Sequence, residues 1–263
     1  MSAIDQRFVE LKKQGRKAFI PFITAGDPSL HMTALLLERL DQAGAAIGEI
    51  GIPYSDPIAD GPVIQASYTR ALKAGVKLDD IFACIRSTKP KVTMPLVSMV
   101  SYAIMHRRGI ERYVADAQAA GLAGAIVPDL LVEEAETVRQ ICQAADFSLI
   151  QLVTPTTTRE RMLRIAETSS GFIYFVSVTG ITGERNELPP GLLDQVAWLR
   201  ERTPVPICIG FGISRPEHVR LLAPVADGLI VGSALVRRYA EAPNETAALD
   251  QVEALARELM AAI

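Results

Sequence analysis

A glutamate, Glu49, stands inside the apolar run 46–52, and two aspartates, Asp56 and Asp60, follow it in the loop Gly51-Ile52-Pro53-Tyr54-Ser55-Asp56-Pro57-Ile58-Ala59-Asp60-Gly61-Pro62. A carboxylate inside an apolar strand is costly unless it is paired or used. Burial disfavours its charged form and raises its pKa toward the range useful for proton transfer at neutral pH. With a two-residue period, the run places Glu49 with Ile47 and Gly51 on one face and Ile50 with Ile52 on the other. If the first face lines a pocket, Glu49 is a candidate acid or base; at a strand edge it is a structural glutamate bonded to backbone or solvent. Aspartates in such loops often only shape turns through their own backbone, so spacing ranks neither Asp56 nor Asp60.

Two glycine-rich places point to other roles. Gly180-Ile181-Thr182-Gly183, followed by the polar run 184–187, has the small residues and low apolar content of a mobile lid, or of a plain surface loop. Gly210-Phe211-Gly212-Ile213-Ser214 and Gly232-Ser233 each follow an apolar run, where small residues let backbone N–H groups and a helix N-terminus approach an anion such as phosphate. Either motif alone also suits a tight turn, but two of them after successive strands form a stronger signal.

The elements that must position these residues are legible from patterning. Short apolar or β-branched runs recur at 18–23, 46–52, 94–100, 122–127, 147–153, 171–178, 205–209 and 226–231. Continuous rather than alternating hydrophobicity suits parallel strands covered on both faces. Amphipathic stretches lie between them, such as Leu30, Ala34, Leu37 and Leu40, or Leu249, Val252, Leu255 and Leu259. Asp27-Pro28 reads as N-cap and first turn of one helix, and Ser214 to Pro216 opens another. Residues 1–15 read as a charged amphipathic helix ahead of the first strand. No linker or composition shift divides residues 1–263, so the pattern predicts an α/β fold, a single-domain (β/α)8 TIM barrel with an extra N-terminal helix. An open dinucleotide-binding sheet would want G-x-G-x-x-G after the first strand, where Ile20-Pro21-Phe22-Ile23-Thr24-Ala25-Gly26-Asp27 stands instead. Active sites of such barrels sit at the C-terminal ends of the strands. The interval between the second and third runs, about twice the usual unit, therefore draws attention to the loop after Glu49.

Bulk properties exclude several classes. A net charge of -3 offers no basic field for nucleic acid, and the pairs Arg107-Arg108 and Arg237-Arg238 read as solvated helix faces. No apolar run approaches the roughly 18 residues a bilayer span needs, and no signal-peptide core is present, which suits a cytoplasmic protein. Cys84, Cys142 and Cys208 are scattered among apolar neighbours and read as core packing; His31, His106 and His218 are scattered in polar contexts, and no metal-ligand spacing is present.

With these residues in place, the chain resembles the α subunit of tryptophan synthase from its opening helix to its last. The segment Glu49 to Pro62 is close to that family's signature, and Pro21-Phe22-Ile23-Thr24-Ala25-Gly26-Asp27-Pro28, Pro128-Asp129-Leu130, Thr179-Gly180-Ile181-Thr182-Gly183 and Val231-Gly232-Ser233-Ala234 agree with it. The resemblance implies retro-aldol cleavage of indole-3-glycerol phosphate to indole and glyceraldehyde 3-phosphate in tryptophan biosynthesis, with no cofactor in this chain. It also implies a pyridoxal-phosphate β subunit as partner in an αββα complex. It implies that Glu49 is the acid and base, that Asp60 binds the indole N–H, and that Phe22, Val100 and Tyr174 line the indole pocket, with Tyr174 helping to position the glycerol chain. It places Gly183, Gly212, Gly232 and Ser233 at the phosphate, with Phe211 beside the substrate, and makes Thr182 the lid residue that orders Asp60. A stand-alone lyase and a non-catalytic regulatory binder are the alternatives. Gly48, Ile104 and Leu131 depart from the pattern; Ile104 lies in the loop that in the family meets the β subunit.

Overall fold

The apolar runs fold as parallel strands. The structure, a computed structural model, describes residues 1–57, 60–177, 191–210 and 212–263. Among these lie β1 (Ala18–Thr24), β2 (Gly48–Gly51), β3 (Leu96–Met99), β4 (Leu122–Ile126), β5 (Ser148–Ile150), β6 (Leu152–Val153), β7 (Ile173–Val176), β8 (Ile207–Gly210) and β9 (Gly228–Val231). They pair in the order β5-β4-β3-β2-β1-β9-β8-β7-β6. Both ends of that order come from one run, 147–153, which divides at Gln151 into β5, paired with β4, and β6, paired with β7. The Gln151 carbonyl accepts from the Tyr174 N–H at 3.0 Å, so hydrogen bonding passes across the division. Eight runs thus yield nine strands and one (β/α)8 TIM barrel.

The N-terminal helix, Ala3–Lys13, begins in a capping box formed by Ser2 and Asp5 and buries Ile4, Phe8 and Leu11. Ser2 Oγ shares a 2.7 Å hydrogen bond with Ser148 Oγ, and Asp5 accepts from the Gly171 N–H at 3.1 Å. Ile4 packs where Gly124 and Gly171 leave room; a methyl group on either would lie 3.0–3.1 Å from its side chain. Ser148 opens β5, Gly171 precedes β7 and Gly124 stands midway along β4, so this helix packs toward the N-terminal end of the barrel.

Between β2 and β3 the extra length forms two helices, Pro62–Lys73 and Leu78–Thr88, rather than one long loop. The first is anchored to the end of β1. Ser67 Oγ and Thr24 Oγ1 share a 2.6 Å hydrogen bond, and the buried Asp27 carboxylate accepts from Arg70 Nε and Nη2, each at 2.7 Å. Asp27 is therefore not the N-cap expected of it. Ser29 caps the helix Leu30–Ala43 by accepting from the Met32 N–H, because the Arg70 pairing draws Asp27 inward. That helix also turns its face slightly: Met32, Thr33, Leu36, Leu37 and Leu40 are buried, while Leu30 and Ala34 are only partly so. In the last helix, Glu245–Met260, the four expected apolar positions are all buried.

Arg108 corrects another expectation. It pairs with Asp79 at 2.8 Å and Asp116 at 2.6 Å and lies over the Phe82 ring, so it joins two helices instead of facing water. Arg237 is likewise half-buried and engaged. Among the described residues, no helix is long and apolar enough to cross a membrane, and the three cysteines are free.

In the helix at the N-terminal end, Ile4 is fully buried against the barrel. Ile4→Ala is expected to cost about 2–4 kcal/mol, read as a lower urea midpoint with unchanged slope.

Candidate active site

Three strands converge on Glu49. It pairs in register with Phe22 of β1 and Val97 of β3, which fixes its side chain on the lumen face with Gly51. Glu49 is 1% exposed, and among the described residues neither carboxylate oxygen has a hydrogen-bond partner. Burial, reinforced by the charge of Asp60, pushes its carboxyl up to about 8, so it is mostly protonated at neutral pH. Such a group retains its proton until something in the cavity takes it.

Asp60 reaches the same place from the loop. Its N–H donates to the Pro57 carbonyl at 3.2 Å, and its own carbonyl accepts from Gln65 Nε2 at 2.7 Å. Pro62 then begins the helix with its fixed φ, so the helix anchored by Ser67 and Arg70 also holds the backbone of Asp60. Burial alone raises the Asp60 carboxyl to about 6, which leaves it largely ionised at neutral pH. Two carboxyl groups in one site are thereby held apart, one neutral and one charged, the arrangement that allows one to give a proton while the other balances positive charge.

A cavity of about 310 Å³ has Asp60, Val100, Ile52 and Met99 in its wall, with Tyr54, Asp56 and Asp129 also lining it; Glu49 is not in that wall. Phe22 and Tyr174 are not in that wall; each is 4% exposed and lies across a strand-end glycine. A methyl group on Gly51 would sit 2.6 Å from Cε2 of Phe22, and one on Gly210 would sit 2.6 Å from Cε1 of Tyr174. Glycine at these positions makes the space for both rings. Asp56 shares the cavity with Asp60, but its residue is exposed whereas Asp60 is 8% exposed.

The glycines expected to meet an anion follow adjacent strands, since β8 and β9 pair through Cys208 with Gly228 and Ile209 with Leu229. Gly212 has φ 77°, a left-handed conformation that favours glycine. Gly232 precedes the helix Ser233–Glu241 as its N-cap, and Ser233 is the first helical residue. A methyl on Gly232 would meet Phe22 only at 3.5 Å, so packing does not demand glycine there. Thr182, Gly183 and Phe211, with the whole Gly180 to Gly183 loop and the run 184–187, lie outside the described residues.

Sequence reasoning passed over Tyr68 and the role of Asp129. Tyr68 is buried on the helix Pro62–Lys73 with Ile64, Ser67 and Ala71, and lines the cavity. That i, i+3, i+4, i+7 spacing was the available sign. Asp129 accepts from Ser101 Oγ at 2.6 Å and the Tyr102 N–H at 2.7 Å, tying the loop after β4 to the helix Tyr102–Arg108. Ile104, on that helix, is partly buried against the core, whereas Leu131 is 54% exposed. Among the described residues no cluster of His, Cys, Asp or Glu could hold a metal ion. His31 stands 3.5 Å from Glu245, His106 stacks near Tyr102, and His218 meets Arg215.

The raised pKa of Glu49 has a thermodynamic consequence. Between the ordinary glutamate value of 4.5 and about 8, the unfolded chain has lost this proton and the folded chain keeps it, so this group lowers stability as pH rises through that window. Glu49→Gln removes the effect. The melting temperature of the variant is expected to exceed that of the wild type by a margin that widens from pH 5 to about pH 8 and then levels off.

The model of the tryptophan synthase alpha chain family matches residues 8–263. The tryptophan synthase alpha chain of Rhodopirellula baltica is 57% identical, over 98% of this chain and 95% of its own length. Among solved structures, tryptophan synthase subunit alpha from Legionella pneumophila superposes with a TM-score of 0.90 at 34% identity, covering 100% of this chain and 98% of that one. A chain of the tryptophan synthase a2b2 complex from the hyperthermophile Pyrococcus furiosus does so with a TM-score of 0.87 at 37% identity, covering 93% and 98%. A neutral buried glutamate, an ionised aspartate and paired glycine ends thus occupy a barrel whose sequence and shape agree with these relatives along nearly its whole length, and the chain belongs to the tryptophan synthase alpha chain family.

Proposed function

We propose that this chain cleaves indole-3-glycerol phosphate with Glu49 as acid and base and Asp60 as the group that balances charge on the indole ring. The family's reaction, a lyase step of tryptophan biosynthesis, breaks the bond between indole C3 and the glycerol chain. Carbon C3 must gain a proton, the ring nitrogen then carries positive charge, and the neighbouring hydroxyl must lose its proton as the aldehyde forms. The neutral Glu49 is suited to give the proton to C3 and, as carboxylate, to take the one from the hydroxyl. Asp60, ionised, accepts from the indole N–H and stabilises the cation. Indole and glyceraldehyde 3-phosphate leave, and Glu49 ends protonated as it began. The observation that carries this is the buried Glu49 carboxyl without a hydrogen-bond partner among the described residues, beside a second carboxylate of lower pKa.

Val100 faces the indole in this scheme, with Phe22 and Tyr174 closing the lumen around it. The phosphate rests on the backbone at Gly212, Gly232 and Ser233, joined by Gly183, with Phe211 against the substrate and Thr182 ordering Asp60. The helix Ser233–Glu241 turns its N-terminus to this place, which suits an anion. The scheme calls on no cofactor in this chain and treats residues 1–263 as one domain. A β subunit that receives indole, arranged as αββα, is the partner, and the surface bearing Ile104 and Leu131 is its docking side. The relatives' common identity as alpha chains supports this partner over a stand-alone lyase or a binder without chemistry.

Glu49→Gln is expected to lower kcat by about 100-fold or more, and Asp60→Asn by a similar order. Activity needs Asp60 ionised and Glu49 protonated. The wild-type rate should therefore fall below about pH 6 and above about pH 8, in indole formation assays from purified chain. Adding a β subunit should raise the rate and co-elute with the chain in size-exclusion chromatography. A Glu49→Gln variant with wild-type kcat overturns the assignment; full activity indifferent to any β subunit overturns the partnership.

A further inference from the structure

Glu49 and Asp60 have roles in this scheme, but a tyrosine that lines the cavity with Asp60 has none. Tyr68 is 3% exposed and lines the cavity with Asp60 and Val100. Its hydroxyl stands 2.9 Å from the point where a β-carbon on Gly51 would lie. Gly51 is the next residue after Glu49 on the lumen face of β2, and β2 runs toward the open end of the barrel. The phenol therefore lies beyond Glu49 on the side from which the loop brings Asp60. A tyrosine hydroxyl in such a place ordinarily takes a hydrogen-bond partner.

The groups around it are acids. Asp60 bears on it most strongly, then Glu49, then the Tyr239 phenol from the helix Ser233–Glu241. Tyr174 faces the same two carboxyl groups from β7, while Tyr54, Asp56 and Asp129 stand in the cavity wall. On its own helix, Arg70 is engaged by Asp27. Burial and this acidic company hold the phenol protonated, so it can act only as a neutral donor or acceptor, and the ionised neighbour calls for a donor.

We propose that Tyr68 is a positioning residue for the reaction: with substrate in the cavity, its hydroxyl donates to one oxygen of the Asp60 carboxylate and leaves the other for the indole N–H. This rests on the role of Asp60 given above. The bond fixes the plane of the carboxylate and favours its ionised form, the form that balances the indole cation.

Tyr68→Phe keeps the ring and removes the donor. It is expected to lower kcat about tenfold and to leave KM for indole-3-glycerol phosphate within about twofold. The acid limb of the pH profile moves to higher pH, since the ionised form of Asp60 loses a donor. In an Asp60→Asn background the same change alters the residual kcat by less than about twofold, because the two groups act as a unit. Replacing Tyr68 with 3-fluorotyrosine keeps nearly the same shape with a stronger donor, and moves the acid limb to lower pH even if the phenylalanine variant fails to fold. The proposal is overturned by wild-type kcat with an unmoved acid limb in Tyr68→Phe, by a full tenfold loss persisting in the Asp60→Asn background, or by an acid limb that ignores the fluorotyrosine. An Asp60→Asn variant as active as wild type removes the assignment of Asp60 itself, which separates that failure from a failure of Tyr68.

Discussion

Burying the Glu49 carboxyl inside a lumen of apolar side chains costs free energy, and the protein limits the cost by keeping the group protonated. Among the described residues, the surrounding strands supply no basic partner that would make it an anion. Phe22 and Val97 flank it in register, and Gly51 leaves room for the Phe22 ring. A cation in hydrogen-bonding reach would have stabilised the fold, but it would also have pulled the proton away and left a poor acid. In the proposed scheme, keeping Glu49 protonated for proton transfer comes at the expense of some stability, a common compromise where function and folding compete.

Asp60 meets a different constraint, because it sits on a loop and still has to stand beside Glu49. The helix Pro62–Lys73 resolves this. Its inner face is joined to β1 through Ser67 and Arg70, its first turn holds the Asp60 backbone through Gln65, and Tyr68 enters the cavity wall. The Asp27–Arg70 pair has one partner almost wholly buried, so its bidentate geometry matters more than that of the exposed ion pairs elsewhere. Tyr239 adds a hydroxyl at the Thr24 N–H, 3.3 Å away, and so links the helix that follows Gly232 to the same strand end. The carboxylate side and the glycine side of the site share β1 as a common support.

Much of this was legible in the sequence, for identifiable reasons. The strands announced themselves because both faces are covered, which leaves long apolar runs with no alternation to confuse. Glu49 stood out for the opposite reason, as a carboxylate in the middle of such a run. Cap positions were less legible: Asp27-Pro28 has the form of a helix start, and only the distant Arg70 shows why Ser29 takes that place. The division of the fifth run at Gln151 left no mark in the pattern, since Leu149, Ile150, Leu152 and Val153 are apolar on both sides of it. Spacing did not separate Asp60 from Asp56; resemblance did, and in the fold Asp60 is buried where Asp56 is exposed. Tyr68 was overlooked because a tyrosine on an amphipathic helix looks like any core residue until the cavity beside it is seen.

The hydrogen bonds that hold the N-terminal helix span 146 and 166 residues of chain. On the ribosome this helix is made well over a hundred residues before its seats at Ser148 and Gly171 exist. Its apolar stripe of Ile4, Phe8 and Leu11 must wait, exposed or transiently covered, while the strands emerge one by one. The contact closing the barrel's far end is therefore among the most non-local in the molecule, and its formation belongs to the late, slow part of assembly rather than to the nucleus.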